Sequence, residues 1–314
     1  MRRLGACCVW MTLVASPAWA AERGETAWQK QMDLGDAAWE KESLSEAEHA
    51  YRSAETIARR FPPGDARQGE AMLRLGQTLA DEGKAEEAEP LLRRAAAALE
   101  KSPGRDRDVA EAYVAEGDLA HDGERYGDAA RFFFRALLLQ ERVLGENDPE
   151  VGRTLLRLAD AYHDQDDFEQ AEPFYRRSVA VYEKAMGAGH EEVAWANLDL
   201  GRFLTDAQRY GEAEPCLTRA QKILESALGP ADPSVGVVLA AEGRLYHDQQ
   251  RAKEAERSFR LAVKLLEKAP RRGGMELADA LTDYAELLRD LDRDPEADPL
   301  EARANALRDG ETQP

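Results

Sequence analysis

The chain has 314 residues, 43% of them hydrophobic and 33% charged, and carries a formal net charge of −19. That composition belongs to an ordered soluble protein rather than a disordered one. An acid excess of this size argues against non-specific binding to DNA, RNA or anionic lipid, which needs a face with a surplus of Lys and Arg, and reads instead as a solubilising outer surface.

Residues 1–20 differ from everything after them. Arg2 and Arg3 form a positive start, Leu4 to Ala15 a short apolar run, and Ala18-Trp19-Ala20 a small-residue cleavage pattern before polar Ala21-Glu22-Arg23. This is the pattern of a secretory signal peptide, too short to span a membrane as a mature helix. Leu4-Gly5-Ala6-Cys7 mimics an acylation box, but it precedes the apolar run instead of following it, so lipidation is rejected. Cys7 and Cys8 leave with the segment, and the lone Cys216 forms no internal disulfide, so stability must come from packing. The product is expected to be exported, into the periplasm for a bacterial signal of this kind.

From about residue 21 to 308 the chain repeats itself. The string Phe168-Glu169-Gln170-Ala171-Glu172-Pro173-Phe174-Tyr175 has counterparts at Ala85 to Leu92 and at Tyr210 to Leu217. Its central alanine recurs as Ala47, Ala88, Ala129, Ala171, Ala213, Ala255 and Ala297, at steps of 41 or 42 residues. A period in this range means stacked supersecondary units. Twelve residues before each alanine comes a second small residue, Gly35, Gly76, Gly117, Ala159, Gly201, Gly243 or Ala285. Seven after it comes a third, Ala54, Ala95, Ala136, Ser178, Ala220, Ala262 or Ala304. Two helices cross closely only where side chains are nearly absent. Glycine inside a helix costs about 1 kcal/mol relative to alanine, so its return at one phase implies a steric need. Large residues four after the alanine, Tyr51, Leu92, Phe133, Tyr175, Leu217 and Phe259, are expected to fill the space beside each crossing.

Helix pairs are expected to begin near residues 25, 65, 106, 149, 191, 233 and 275, each with a second helix near its alanine. Pro90, Pro173, Pro215 and Pro299 are expected in the first turn of those second helices, where a missing N–H is harmless. The last copy has Glu301 at the aromatic position and a polar outer face, as a terminal cap should. Residues 309–314 read as a frayed tail.

These small positions, the aromatic and the spacing resemble the tetratricopeptide repeat. The Ala-Glu-Pro helix start and the loops Gly145-Glu146-Asn147-Asp148-Pro149 and Gly229-Pro230-Ala231-Asp232-Pro233 resemble its 42-residue kinesin light chain type. The resemblance implies an all-α, right-handed superhelical solenoid of seven antiparallel helix-turn-helix pairs. It also implies a concave groove lined by the first helices and a protein or peptide partner. Members with a carboxylate clamp carry Lys and Asn in that groove. This chain does not, and it also lacks the coiled coil of kinesin light chains, so neither of those functions carries over.

No catalytic grammar appears: no Gly-rich phosphate loop, no H-E-x-x-H, no paired cysteines and no G-x-S-x-G elbow. The chain therefore reads as a non-enzyme without cofactor or metal. His121, His163 and His247, each followed by Asp, fall in phase, but one histidine per repeat at helix-packing spacing is too far apart to share zinc. The run Asp292 to Asp298 mimics a calcium loop without its glycine and reads as an inter-helix turn, and Cys216 as a packing residue.

What remains is recognition. The groove positions collect Arg153, Arg157, Asp160, Trp195, Leu198, Arg202 and Arg244 in the middle repeats, and Arg and Trp are residue types that anchor interfaces. The expected function is an exported scaffold that docks a protein or peptide there. A lipid- or glycan-binding accessory role in envelope assembly is the alternative, though no strong aromatic stripe supports it.

Overall fold

The computed structural model describes residues 17–268 and 274–311, and all its regular structure there is helical. The helices are α1 (Pro17–Trp39), α2 (Leu44–Ala58), α3 (Ala66–Asp81), α4 (Ala85–Leu99), α5 (Asp106–Asp122), α6 (Tyr126–Leu144) and α7 (Pro149–His163). They continue as α8 (Phe168–Met186), α9 (Glu191–Asp206), α10 (Tyr210–Leu228), α11 (Pro233–Asp248), α12 (Ala252–Leu266), α13 (Gly274–Asp290) and α14 (Asp294–Glu311). The apolar run of the signal segment lies outside the described residues, which begin at Pro17, and α1 runs through the expected cleavage point. At the other end α14 continues through Asp309 to Glu311, and residues 312–314 lie outside the described residues.

The described residues form two units divided after Leu119. In the first, α1 packs on α2, α2 on α3 and α3 on α4. In the second, α6 packs on α7, and the pairs α7–α8, α9–α10, α11–α12 and α13–α14 follow in series, each against the next.

The small residues do what their phase demands. All seven central alanines and all seven residues at the third small position have no exposed surface. A Cβ added to Gly35 would lie 2.4 Å from Tyr51, one on Gly201 2.5 Å from Leu217, and one on Gly243 2.7 Å from Phe259. The large residue four after each alanine therefore occupies the space a side chain would need. Ser178 replaces alanine at one third position and satisfies its hydroxyl by donating to the Gly152 carbonyl at 2.8 Å.

Each first helix closes in the same way. The N–H of Ser43, Lys84, Arg125, Asp167, Arg209, Arg251 or Arg293 returns to a carbonyl five residues back, as in Leu204 to Arg209, which is the Schellman closure. The residue before it has a positive φ. Only Gly83 is a glycine there; elsewhere Glu42, Glu124, Asp166, Gln208, Gln250 and Asp292 hold φ of 57–60°. Second helices end differently, at Gly145, Gly187 and Gly229 with φ above 90°. Asp148 and Asp232 then cap the next helix by accepting the N–H of Glu150 and Ser234, with proline at the first helical position.

The prolines correct the sequence expectation. α4, α8, α10 and α14 start three residues before the central alanine, so Pro90, Pro173, Pro215 and Pro299 are each the sixth helical residue, in the second turn. Each removes one intrahelical bond to the carbonyl four residues back, at Glu86, Glu169, Gly211 or Pro295. Those residues and the prolines themselves are exposed, so the freed carbonyl faces solvent instead of a dry core, and the helix continues.

The glutamate that directly follows the central alanine has a task in four repeats. Glu172 accepts Arg209 at 2.6 Å, Glu214 accepts Arg251 at 3.3 Å and Glu256 accepts Arg293 at 3.0 Å. Glu48, at the same phase, accepts Lys84 at 2.7 Å. In each case the base caps the second helix of the following repeat, so the Ala-Glu motif ties one repeat to the next.

Candidate functional site

The first helices α7, α9, α11 and α13 of the second unit neighbour one another in order, α9 touching α7 and α11, and α11 touching α13. This places residues at equal phase on adjacent rungs. Arg157 and Asp160 on α7 stand level with Asp199 and Arg202 on α9, while Arg244 follows on α11.

At the C-terminal half of α7 lies a polar chain inside an aromatic frame. The Tyr175 hydroxyl donates to Asp160 Oδ1 at 2.5 Å and lies 3.4 Å from His163 Nδ1. His163 Nε2 in turn meets Asp206 Oδ2 at 3.4 Å. The rings of Phe168 and Phe203 each stand 5.3 Å from the imidazole, edge-on. The same tyrosine–aspartate bond recurs in the first unit, where Tyr51 donates to Asp36 at 2.6 Å. Burial raises the Asp160 pKa, partly offset by the tyrosine bond, and burial with Asp160 raises that of Tyr175. The Asp206 hydrogen bond raises the pKa of His163.

Asp199 is the outlier. Burial, with the charge of Asp160 beside it, pushes its carboxyl up to about 7, and Arg202 offsets this only in part. Nothing in the sequence marks it, because an Asp-x-x-Arg pair on a helix reads as a solvated i,i+3 pair.

The arginines are accessible but not idle. Arg202 and Arg244 are exposed, and Arg244 pairs with Asp206 at 3.0 Å. Both lower the pKa of Asp283, which burial raises. Arg153 is exposed and hydrogen-bonded to the buried Tyr182 hydroxyl, with Arg157 close to the same ring. Trp195 is half-buried against the core around Tyr175, Phe203 and Leu217, and Leu198 lies within that core. The structure thus brings Asp160, Arg202 and Arg244 to one strip, holds Arg153 and Arg157 one turn or more away beside Tyr182, and places Leu198 beneath the surface.

The in-phase histidines are staples between repeats. His121 Nε2 stands 2.8 Å from Asp164, and His247 Nε2 meets Asp290 at 2.9 Å. In the first unit Trp39 fills the same phase and donates its indole N–H to Asp81 at 3.0 Å. Among the described residues no group of three or more His, Cys, Asp or Glu is arranged to hold a metal ion. Arg293, within the calcium-like run, bridges Glu256 and Glu296. Cys216 is half-buried, and burial raises its thiol pKa, which keeps the nucleophilic thiolate scarce.

Two open clefts mark the second unit. One of about 690 Å³ runs along α10 past Glu214, Thr218, Arg219 and Lys222; the other, about 480 Å³, lies by Phe168, Phe203, Asp206 and Arg209. Neither includes the seven groove residues read from the sequence.

The chain matches the tetratricopeptide repeat family over residues 67–137, 124–184 and 192–268, and it belongs to that family. Solved structures share the fold at low identity. A tetratricopeptide repeat protein from Parabacteroides merdae superposes with a TM-score of 0.65 at 14% identity, covering 90% of this chain and 93% of its own. Nearly identical repeats of a kinesin light chain from Podosopora anserina give 0.57 at 16%, covering 64% and 96%. The pilF protein of Pseudomonas aeruginosa gives 0.57 at 17%, covering 85% and 99%. No curated protein matches the chain by sequence. No described helix is long and apolar enough to cross a membrane.

Proposed function

We propose that the chain is an exported, non-enzymatic scaffold of the bacterial envelope, docking a protein or peptide along the first-helix face of its second unit. The observation that carries this reading is the row of neighbouring helices α7, α9, α11 and α13, whose exposed Arg202 and Arg244 and half-buried Trp195 lie over a continuous apolar core. Arginine beside a partly desolvated aromatic is the arrangement that anchors interfaces, since both give large contact area and directed hydrogen bonds. Asp160 completes the contact strip, with Arg153 and Arg157 flanking it beside Tyr182 and Leu198 in the core beneath it. The signal-like start at residues 1–20 supports export, and the acid-rich composition supports a protein partner over nucleic acid.

A photo-crosslinking residue at Trp195 or Arg202, introduced into the protein in its cellular setting, tests the face directly. A discrete protein adduct at these positions, absent when the crosslinker is placed at exposed Asp294 on α14, is the expected result. Adducts of lipid or glycan alone would replace the scaffold reading with the envelope-accessory one. N-terminal sequencing of the secreted material is expected to begin at Ala21.

A further inference from the structure

The acid excess of the chain is not spread evenly over its second unit. On α6, α8, α10 and α12 the places two, five, six, nine and thirteen residues after the central alanine form one stripe about 100° wide along each helix. Those twenty places hold twelve Arg or Lys and no Asp or Glu, in a chain where acids outnumber bases 61 to 42. Ten of the twelve bases are exposed, and Arg177 and Arg219 are half-buried. Glutamates stand at the edges of the stripe, where Glu183 takes Arg219 and Glu212 takes Arg176 at 2.7 Å. Lys184, Lys222, Arg257 and Lys264 have no carboxylate partner among the described residues, so the stripe keeps cations that the chain's own acids do not neutralise.

On α10 the stripe sinks. Thr218 and Ser226 stand where α8 has Arg176 and Lys184 and where α12 has Arg260 and Lys268. These short side chains, with Gly211 and Pro215, line the open cleft of about 690 Å³ together with Lys222 and Arg219. Glu214, the one acid in that lining, is already taken by Arg251 at 3.3 Å and by the Tyr246 hydroxyl at 3.2 Å. α8 flanks the helix through Arg176–Glu212 and Arg219–Glu183, and the cap of α12 flanks it through Arg251. From Gly211 to Ser226 the helix rises about 22 Å, the reach of roughly six or seven residues of extended chain.

We propose that this α10 cleft is a second docking site, which takes a short extended acidic segment of a partner protein with its carboxylates against Lys222 and Arg219. It lies on the second helices and does not depend on the first-helix docking read above. A stripe free of acids on an acid-rich chain attracts carboxylates and repels lysine-rich segments. The Thr218 and Ser226 hydroxyls lie in the same cleft and can donate to further carboxylate oxygens. The edge glutamates Glu183 and Glu212 restrict the occupant to a short one, since a nucleic acid would run its phosphates past them. A bilayer presents a flat surface, which meets the long bases of α8 and α12 without entering the cleft between them.

The test uses the full-length protein with two fluorescent ten-residue peptides, one alternating glutamate and alanine, the other alternating lysine and alanine, at physiological salt. The glutamate peptide is expected to bind and the lysine peptide not. Lys222→Glu is expected to weaken binding about tenfold. Lys30→Glu, the same charge change at an exposed place on α1, should leave it unchanged, as should Arg202→Glu on the first-helix face. Lys222 and Lys30 are exposed, so thermal unfolding of both variants should match the parent and separate a lost site from a lost fold. No binding of the glutamate peptide by the parent, equal affinity in Lys222→Glu, or equal loss in Lys30→Glu would each overturn the proposal. So would loss in Arg202→Glu alone, which moves the acidic segment to the first helices, or displacement of the peptide by phosphatidylglycerol vesicles, which makes the stripe a membrane contact. The first-helix docking reading is judged separately by the protein adduct at Trp195.

Discussion

His163 reaches past its sequence neighbour Asp164 to meet Asp206 on the following repeat, Nε2 to Oδ2 at 3.4 Å. His121 with Asp164, His247 with Asp290 and Trp39 with Asp81 repeat the relation, so one phase at the end of the first helices acts as a staple. Because the Asp206 bond raises the histidine pKa above its ordinary 6.5, the staple is fully formed below that value. It weakens as pH rises through the higher folded value. His163→Gln should therefore cost about 1 kcal/mol at pH 6. The gap to the parent should narrow at pH 9, apart from a constant loss of ring packing against Phe168 and Phe203. Urea unfolding at the two pH values reads this, and a gap that widens with pH would contradict the assignment.

Gly201 and Gly211 are ten residues apart and should respond oppositely to alanine. At Gly201 the new Cβ would lie 2.5 Å from Leu217 Cδ2 and 2.8 Å from its Cγ, a side chain fully buried at the crossing. Overpacking of this kind costs about 1–3 kcal/mol. At Gly211, inside α10 and with nothing within 4 Å, alanine meets no obstacle and gains up to about 1 kcal/mol from helix propensity. Thermal unfolding of both variants distinguishes the crossing from the open side of the helix. Equal effects would mean that the phase has been misread.

The steric skeleton was legible because it needs the same atoms absent in every repeat. Ala171, Tyr175 and Gly201 announce themselves by recurrence alone. The polar ties were not, because each joins residues one repeat apart: the ring of each in-phase histidine meets the following repeat's acid. The prolines misled by one turn, since helix starts lie three residues before the alanine, at Phe168 after the Asp167 cap and at Tyr210 after Arg209, which makes no side-chain cap. At the candidate site, Arg202 and Arg244 could be placed on a face from their phase. The depth of Asp199 could not, because burial depends on the neighbouring rung.

The left-handed turns offer a third test. Gln208 holds φ of 57° where Gly83 serves the second repeat, and its N–H closes on Thr205 while Arg209 closes on Leu204. A side chain in this region costs roughly 1 kcal/mol that glycine does not incur. Gln208→Gly should raise stability by about 0.5–1 kcal/mol, less whatever the unfolded chain gains in freedom. A clear loss of stability in chemical denaturation would show that the glutamine side chain makes a contribution beyond the turn.

Glu242 sits where other repeats carry Leu75, Leu158 and Leu200, all buried, and it is itself only 7% exposed. Burial, with the charges of Glu214 and Glu225 nearby, lifts its carboxyl to about 7 from 4.5. Below pH 4.5 folded and unfolded chains are both protonated there, and the acid carries no electrostatic penalty. Between 4.5 and 7 the unfolded chain releases the proton while the folded one keeps it, so stability falls as pH rises. Above about 7 the full penalty of a buried charge is present, on the order of 1–3 kcal/mol. Glu242→Leu restores the repeat's own residue and should stabilise most at pH 8 and least at pH 4, where only the apolar burial remains. Denaturation midpoints across that range measure the slope. A gain independent of pH would mean that Glu242 finds a partner as a charged group, and that the penalty assigned to it is absent.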